Sequence, residues 1–183
     1  MNPWIEEEAI EWLEEQVRPG MKVFEYGTGG STLFFARRTK EVVSVECYPE
    51  KYEKFTHLLK QKMKSSFKVS LNLVPPVEDP KPFPYSHESY NSFDEEFIHL
   101  SLKEYVNFIK EYGNKFFDIV LISGRARASC IRAAVPKVKP GGLLILNDSE
   151  RYEYQDAIEL FLKKYPHQEF SEDIRKTGIW TIG

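Results

Sequence analysis

Val23-Phe24-Glu25-Tyr26-Gly27-Thr28-Gly29-Gly30-Ser31 is the stretch that decides how this chain folds. An apolar strand-forming run from Met21 to Tyr26 feeds a glycine-rich turn, and a helix from Ser31 to Thr39 follows at once. Glycines there let the backbone turn tightly and come close to a ligand, beside the exposed amides of a helix start. Dinucleotide-binding turns use the same physics, so the glycines alone leave the ligand open. Two residues narrow it. The carboxylate of Glu25, just before the turn, opposes a pyrophosphate and suits an ammonium group. The third glycine of a dinucleotide fingerprint would fall at Thr32.

Outward from the turn, strands alternate with helices. Before it, Ile5, Ala9, Trp12, Leu13 and Val17 recur at helical spacing, with Asn2 as a cap, Pro3 at the first helical position and Arg18-Pro19-Gly20 as the stop. After it come a strand over Glu41 to Glu46 and a helix from Pro49 to about Met63. Phe67 to Leu73 alternates apolar and polar residues, the mark of an edge strand with one solvated face. Phe116 to Ile122 and Leu143 to Leu146 are nearly continuous apolar runs, expected of central strands covered on both faces. Helices are expected from about Ser101, from Arg125 to Val135 and from Tyr152 to Lys164, with closing strands over 167–170 and 176–182. Such alternation predicts an α/β, doubly wound and mainly parallel sheet. Residues 75–100 break the rhythm: Pro75, Pro76, Pro80, Pro82 and Pro84 precede Tyr85, Ser86, His87 and Tyr90. A loop that long reads as functional, and it is expected to line an acceptor pocket.

Composition sets bounds on the rest. A chain of 183 residues suits a single domain, 1–183, and its 42% hydrophobic and 29% charged residues are those of an ordinary globular protein. A net charge of -3 does not draw nucleic acid or anionic lipid to the average surface. No apolar run approaches the roughly 20 residues that span a bilayer. The start, Met1 to Glu8, lacks a secretion pattern, and Cys47 and Cys130 stand far apart, so reduced thiols and a cytoplasmic location are the expectation.

The second strand ends in Glu46, 19 positions after Gly27, where a carboxylate can accept hydrogen bonds from ribose hydroxyls. Taken in order, Glu25-x-Gly27-x-Gly29, Glu46, Phe117-Asp118-Ile119-Val120-Leu121-Ile122 and Val138-Lys139-Pro140-Gly141-Gly142-Leu143-Leu144 resemble the class I S-adenosylmethionine-dependent methyltransferases. The resemblance runs from about Met21 to Asp148. Ser123-Gly124-Arg125-Ala126-Arg127-Ala128-Ser129-Cys130 and Asn147 to Tyr152 are similar to segments of a group within that family whose substrates are not established.

The resemblance implies a Rossmann-like methyltransferase fold with strand order 3-2-1-4-5-7-6 and the last strand antiparallel. It implies S-adenosylmethionine as cofactor, with Glu25, Tyr26, Gly27, Thr28, Gly29 and Ser31 around its methionine part and Glu46 on its ribose. Cys47 then touches the adenosine end, and Val77, Glu78 and Ser123 stand near adenine. Many members of the family carry Asp at the position of Ser123. Metal-dependent members have an Asp-Asn pair after strand 5, whereas here the order is Asn147-Asp148, so no metal is expected. The Asn-Pro-Pro-Tyr signature of N-methylation is absent.

For catalysis, three residues stand out. Asp148 is placed to act as a base or to cap the next helix. Arg125, with Arg127, can clamp a carboxylate or phosphate in a fork. His87 can take a proton near neutral pH. His57, His99 and His167 read as structural, and Cys130 as buried and inert. The reading is methyl transfer to a small-molecule acceptor, with an anionic one suggested by the arginines and a homo-oligomer left open. Two alternatives remain: an inactive domain that binds S-adenosylmethionine or S-adenosylhomocysteine, and a nicotinamide-dependent oxidoreductase.

Overall fold

The apolar runs assemble into one seven-stranded sheet with helices on both faces. The computed structural model describes residues 5–62, 68–79 and 85–183. In chain order the strands are β1 Lys22–Tyr26, β2 Glu41–Glu46, β3 Val69–Leu73, β4 Val77–Glu78, β5 Leu100–Ser101, β6 Phe117–Ile122, β7 Val138–Asn147, β8 His167–Glu172 and β9 Arg175–Ile182. The main sheet runs β3-β2-β1-β6-β7-β9-β8, and β4 with β5 forms a separate two-residue antiparallel ladder. Leaving that ladder aside, this is the expected order 3-2-1-4-5-7-6. The pairs β1–β2, β1–β6, β2–β3 and β6–β7 are parallel, and β9 runs antiparallel to both β7 and β8.

The helices are α1 Glu7–Gln16, α2 Gly30–Ala36, α3 Pro49–Lys62, α4 Lys103–Asn107, α5 Arg127–Ala134 and α6 Gln155–Phe161. Side chains alternate across each strand, so neighbours in sequence serve opposite cores. Val23, Ile119 and Ile145 face Leu13 of α1 and Phe34 and Phe35 of α2. Phe24, Val120 and Leu144 face Tyr105 and Val106 of α4, Ile131 of α5 and Ala157 of α6. Burial on both faces explains the nearly continuous apolar runs of β6 and of Leu143 to Leu146 in β7. β3 keeps exposed positions, as an edge strand does.

Several boundaries differ from the sequence expectation. Lys139-Pro140-Gly141-Gly142 lies inside β7, where the register jumps from Phe117↔Val138 to Ile119↔Leu143. Gly141 takes φ +78°, and a Cβ on Gly142 would stand 2.7 Å from the Asp118 carbonyl oxygen. Lys139 Nζ holds this bulge by donating to Asp118 Oδ1 at 2.7 Å. α5 starts at Arg127, two residues later than expected, because Ala126 turns left-handed at φ +50°. Tyr152–Tyr154 is a 3-10 turn ahead of α6. The expected cap at Asn2 and Pro3, Met63, Phe67, Pro80, Pro82 and Pro84 lie outside the described residues. No helix among the described residues is long and apolar enough to cross a membrane.

Candidate functional site: a cleft at the carboxyl ends of β1, β6 and β7

Two glycines make the floor. Gly27 takes φ +90° and donates its N–H to the Val45 carbonyl at 2.8 Å. A Cβ there would come within 2.9 Å of Gly124 Cα, and one on Gly124 within 3.0 Å of Gly27 N. The turns after β1 and β6 therefore touch backbone to backbone, which side chains would prevent. Ser123 fastens the contact, its N–H and its hydroxyl both donating to the Tyr26 carbonyl, at 3.1 and 3.2 Å. Beneath Gly124 lies the buried Tyr105 hydroxyl, which has no hydrogen-bond partner among the described residues.

Glu25, expected to meet an ammonium group, is fully buried beside the turn. Its carboxylate accepts from Ser31 Oγ, from Thr32 Oγ1 at 2.5 Å and from Ser44 Oγ at 2.5 Å. Burial pushes its pKa above the ordinary carboxyl value, and the hydroxyls of Ser31, Ser44 and Thr32 offset only part of that. Thr32 also accepts the Gly29 N–H at 3.1 Å. The side chain thus shapes the turn from below and does not line the cleft.

Glu46, expected on a ribose, is also committed. Its Oε1 accepts from the amides of Cys47 (2.9 Å) and Tyr48 (3.1 Å). Its Oε2 accepts from the amide (3.0 Å) and hydroxyl (2.8 Å) of Thr28 and pairs with Lys51 Nζ at 3.2 Å. Burial would raise its pKa, but Lys51 and the donors on Tyr48 and Thr28 outweigh burial and hold it below the ordinary value. Glu46 sits behind Thr28 and Lys51, which do line the cleft.

The arginines after β6 part company. Arg127, read from sequence as an anion clamp, is buried and turned inward. It donates to the carbonyls of Ser123 (3.1 Å), Gly124 (3.0 Å) and Asn147 (2.6 Å) and to Asp148 Oδ2 (2.9 Å), tying the end of β6 to that of β7. Asp148, left-handed at φ +51°, also faces Arg151 at 3.5 Å through Oδ2. Arg125 points the other way. Its Nε donates to the Tyr48 hydroxyl at 2.9 Å and pairs with Asp94 at 3.2 Å, while its guanidinium stands over the rings of Tyr48 and Phe97.

These elements enclose a cleft of about 520 Å³. Of the residues singled out in the sequence, Thr28, Gly29, Ser31, Ser123, Arg125, Arg127 and Asp148 line it; Glu25, Tyr26, Gly27, Glu46, Cys47 and His87 do not. Tyr26 instead sends its hydroxyl into the core, donating to the Val106 carbonyl at 2.7 Å. Cys47 is buried. His87 packs edge-on against Phe161 of α6, with ring centroids 5.2 Å apart. Val77 and Glu78 form β4 and are exposed. The described part of the Pro-rich segment packs against Arg125, Ser129 and Arg132 rather than lining the cleft.

Sequence reading missed the opposite wall. Lys51, Lys54, Phe55 and Leu58 of α3 line it, with Ile5, Arg151 and Arg175. The signal was present in α3, where positions 51, 54, 55 and 58 share one helical face. Among the described residues no group of three His, Cys, Asp or Glu side chains could hold a metal ion. A second hollow of about 340 Å³ lies among α4, α5 and Tyr90.

No protein-family model and no curated protein matches the chain. Solved structures do. A methyltransferase-like protein from Silicibacter pomeroyi superposes with a TM-score of 0.61 at 20% identity, over 96% of this chain and 84% of that one. A Streptococcus mutans protein assigned as a methyltransferase, in complex with SAH (S-adenosylhomocysteine), gives 0.65 at 12% identity over 99% of both chains. An rRNA methylase from Streptococcus thermophilus gives 0.64 at 13% identity, over 96% of this chain and 94% of that one. With its seven strands in the order described above, the chain has the Rossmann-like fold of these methyltransferases.

Proposed function

We propose that this protein is an S-adenosylmethionine-dependent methyltransferase acting on a small molecule. The observation that carries the proposal is the glycine floor at Gly27 and Gly124, opening into a cleft of about 520 Å³ on a methyltransferase fold. That volume lies within the roughly 300–1,000 Å³ of small-molecule sites. The buried Tyr105 hydroxyl beneath the floor, without a hydrogen-bond partner among the described residues, is a polar group in want of one.

The residues present fit such a cofactor in part. Thr28, Gly29 and Ser31 would hold its methionine part and Ser123 would stand beside the adenosyl part, all four at the cleft wall. Glu46 would reach ribose hydroxyls by exchanging its bond to the Thr28 hydroxyl or to the half-exposed Lys51. Glu25 acts at one remove, holding Ser31 and Thr32 and through Thr32 the Gly29 amide.

S-Adenosylmethionine, when bound, supplies an electrophilic methyl carbon, whose bond to sulfur breaks as the acceptor's lone pair forms the new one. The protein's part is alignment and exclusion of water. Phe55, Leu58 and Ile5 give the cleft its apolar wall. Arg127 fixes the ends of β6 and β7 at one separation, and Asp148 holds Arg127 and Arg151 in place. Arg125 braces the segment at Asp94 to the rim. His87 has no part in this cleft.

Calorimetric titration with S-adenosylmethionine and S-adenosylhomocysteine, on wild type and Glu46→Ala, tests the assignment. Binding to wild type with weakened affinity in the variant is expected. Affinity undisturbed by the substitution would remove the ribose role, and binding of NAD in place of both would overturn the cofactor. Slow turnover of S-adenosylmethionine separates an enzyme from an inactive binding domain.

A further inference from the structure

The cleft is far more positive than the chain. Its lining holds Lys51, Lys54, Arg125, Arg127, Arg151 and Arg175 against one carboxylate, Asp148. Over the whole sequence acidic residues outnumber basic ones, 28 to 25. With six cations drawn into one cleft, the remaining surface is acidic, which disfavours an extended nucleic acid.

Nearby carboxylates offset most of the excess and leave two cations over. Lys51 is matched by Glu46 and Arg125 by Asp94, with Glu96 at 4.0 Å. Arg127 and Arg151 share Asp148, with Glu153 adding a partner to Arg151 at 3.6 Å. Lys54 and Arg175 are exposed and make no ion pair among the described residues. Arg151 and Arg175 come from adjoining segments: the Ser149 N–H donates to the Lys176 carbonyl at 2.9 Å, and the Lys176 N–H to Glu150 Oε2 at 2.8 Å.

We infer that the methyl acceptor is a small molecule bearing a dianionic group of the phosphate type, received by Arg151 and Arg175 at the mouth of the cleft with Lys54 on the opposite wall. The inference rests on the proposed methyl transfer. Arg175 offers a free forked donor to such an anion, and Arg151, on the adjoining segment, adds the second by turning one nitrogen from its long contacts with Asp148 and Glu153. Charge supplies a second reason. S-Adenosylmethionine carries a net positive charge through its sulfonium, and the unmatched Lys54 and Arg175 oppose it unless an anion enters too. Anion and cofactor then bind cooperatively, and the coupling is larger for S-adenosylmethionine than for the thioether product, which has no net charge.

The test is calorimetry on the full chain with inorganic pyrophosphate as probe, in the absence of cofactor and with S-adenosylhomocysteine or S-adenosylmethionine saturating. Pyrophosphate is expected to bind, more tightly with S-adenosylmethionine present, and to weaken as salt rises. Arg175→Ala, at an exposed position without an ion pair, is expected to weaken pyrophosphate about tenfold or more, the loss of one charge-assisted hydrogen bond. The same variant keeps its affinity for S-adenosylhomocysteine, which also shows that it is folded. S-Adenosylhomocysteine binding without pyrophosphate binding would overturn the inference and leave the cofactor reading intact. So would pyrophosphate affinity unchanged in Arg175→Ala, or an oligonucleotide that binds more tightly than pyrophosphate. A protein that binds pyrophosphate but neither adenosyl compound would overturn the methyl-transfer reading, and the inference with it, and leave an anion site of another kind.

Discussion

Replacing Gly124 by Ala perturbs the floor of the cleft at its tightest point. The backbone there is not left-handed, so the cost is one of space. The new Cβ would stand 2.0 Å from the Tyr105 hydroxyl, 3.0 Å from Gly27 N and 3.1 Å from the Tyr26 carbonyl carbon. Tyr105 is fully buried and cannot swing into solvent. Overpacking of this kind costs about 1–3 kcal/mol, partly offset by the roughly 0.4–1 kcal/mol that Ala gains over Gly in the unfolded chain. A net loss of about 1–2 kcal/mol remains. At about 2–4 °C per kcal/mol for a domain of this size, the melting temperature should fall by roughly 2–8 °C. Tyr105→Phe removes the closest of these contacts, leaving the two to backbone, and with it a buried hydroxyl that has no partner among the described residues, whose burial costs about 1–3 kcal/mol. The single Phe variant is therefore expected to be as stable as wild type or more so, and the double variant to recover most of the Ala loss. Thermal melts followed by circular dichroism, arranged as a double-mutant cycle, read the coupling. Additive losses, or a Gly124→Ala protein melting like wild type, would refute the packed floor.

Three further outcomes follow from the same contacts. Glu46 has a pKa below its ordinary value, so its stabilising contribution is present above that ordinary value and is lost as pH falls through the depressed one; Glu46→Gln should flatten the acid limb of a denaturant-stability profile below the ordinary carboxyl range. Breaking the buried pair with Arg127→Met leaves Asp148 short of a partner and should cost roughly 3–5 kcal/mol in chemical unfolding, with partial recovery in Arg127→Met/Asp148→Asn. Arg125→Ala removes part-exposed ion pairs worth under about 1 kcal/mol, yet it should raise amide hydrogen exchange around Asp94 to Phe97 while the sheet stays protected.

The fold was legible because each strand advertised its place. The alternation in 67–73 marked an edge, and the nearly continuous apolar runs at 116–122 and 143–146, in β6 and β7, marked strands buried on both faces. The position of the turn at Gly27 was legible for a similar reason, since its left-handed backbone favours glycine. Partners across the fold were not. Nothing local in the sequence shows that Ser31, Thr32 and Ser44 would close over Glu25, or that Arg127 would reach the carbonyl of Asn147. Thr32 in particular entered the reading as a missing glycine and proved to be the hydroxyl that links Glu25 to the Gly29 amide. His87 looked reactive as a lone loop histidine, but the loop carries it to Phe161. The cationic wall draws on α3 and on the β8–β9 hairpin, far apart in sequence, so only the packed fold brings Lys54 and Arg175 to one cleft.

The central claim is that the turn from Gly27 to Ser31 receives an adenosyl cofactor. Diffraction from crystals grown with S-adenosylhomocysteine tests it most directly. The account predicts ligand density over Thr28, Gly29 and Ser31 and beside Ser123, with Glu46 released from Thr28 or Lys51 to meet the ribose. Density bound elsewhere on the molecule, in the hollow by Tyr90 for example, with the Glu46 contacts unchanged, would contradict it.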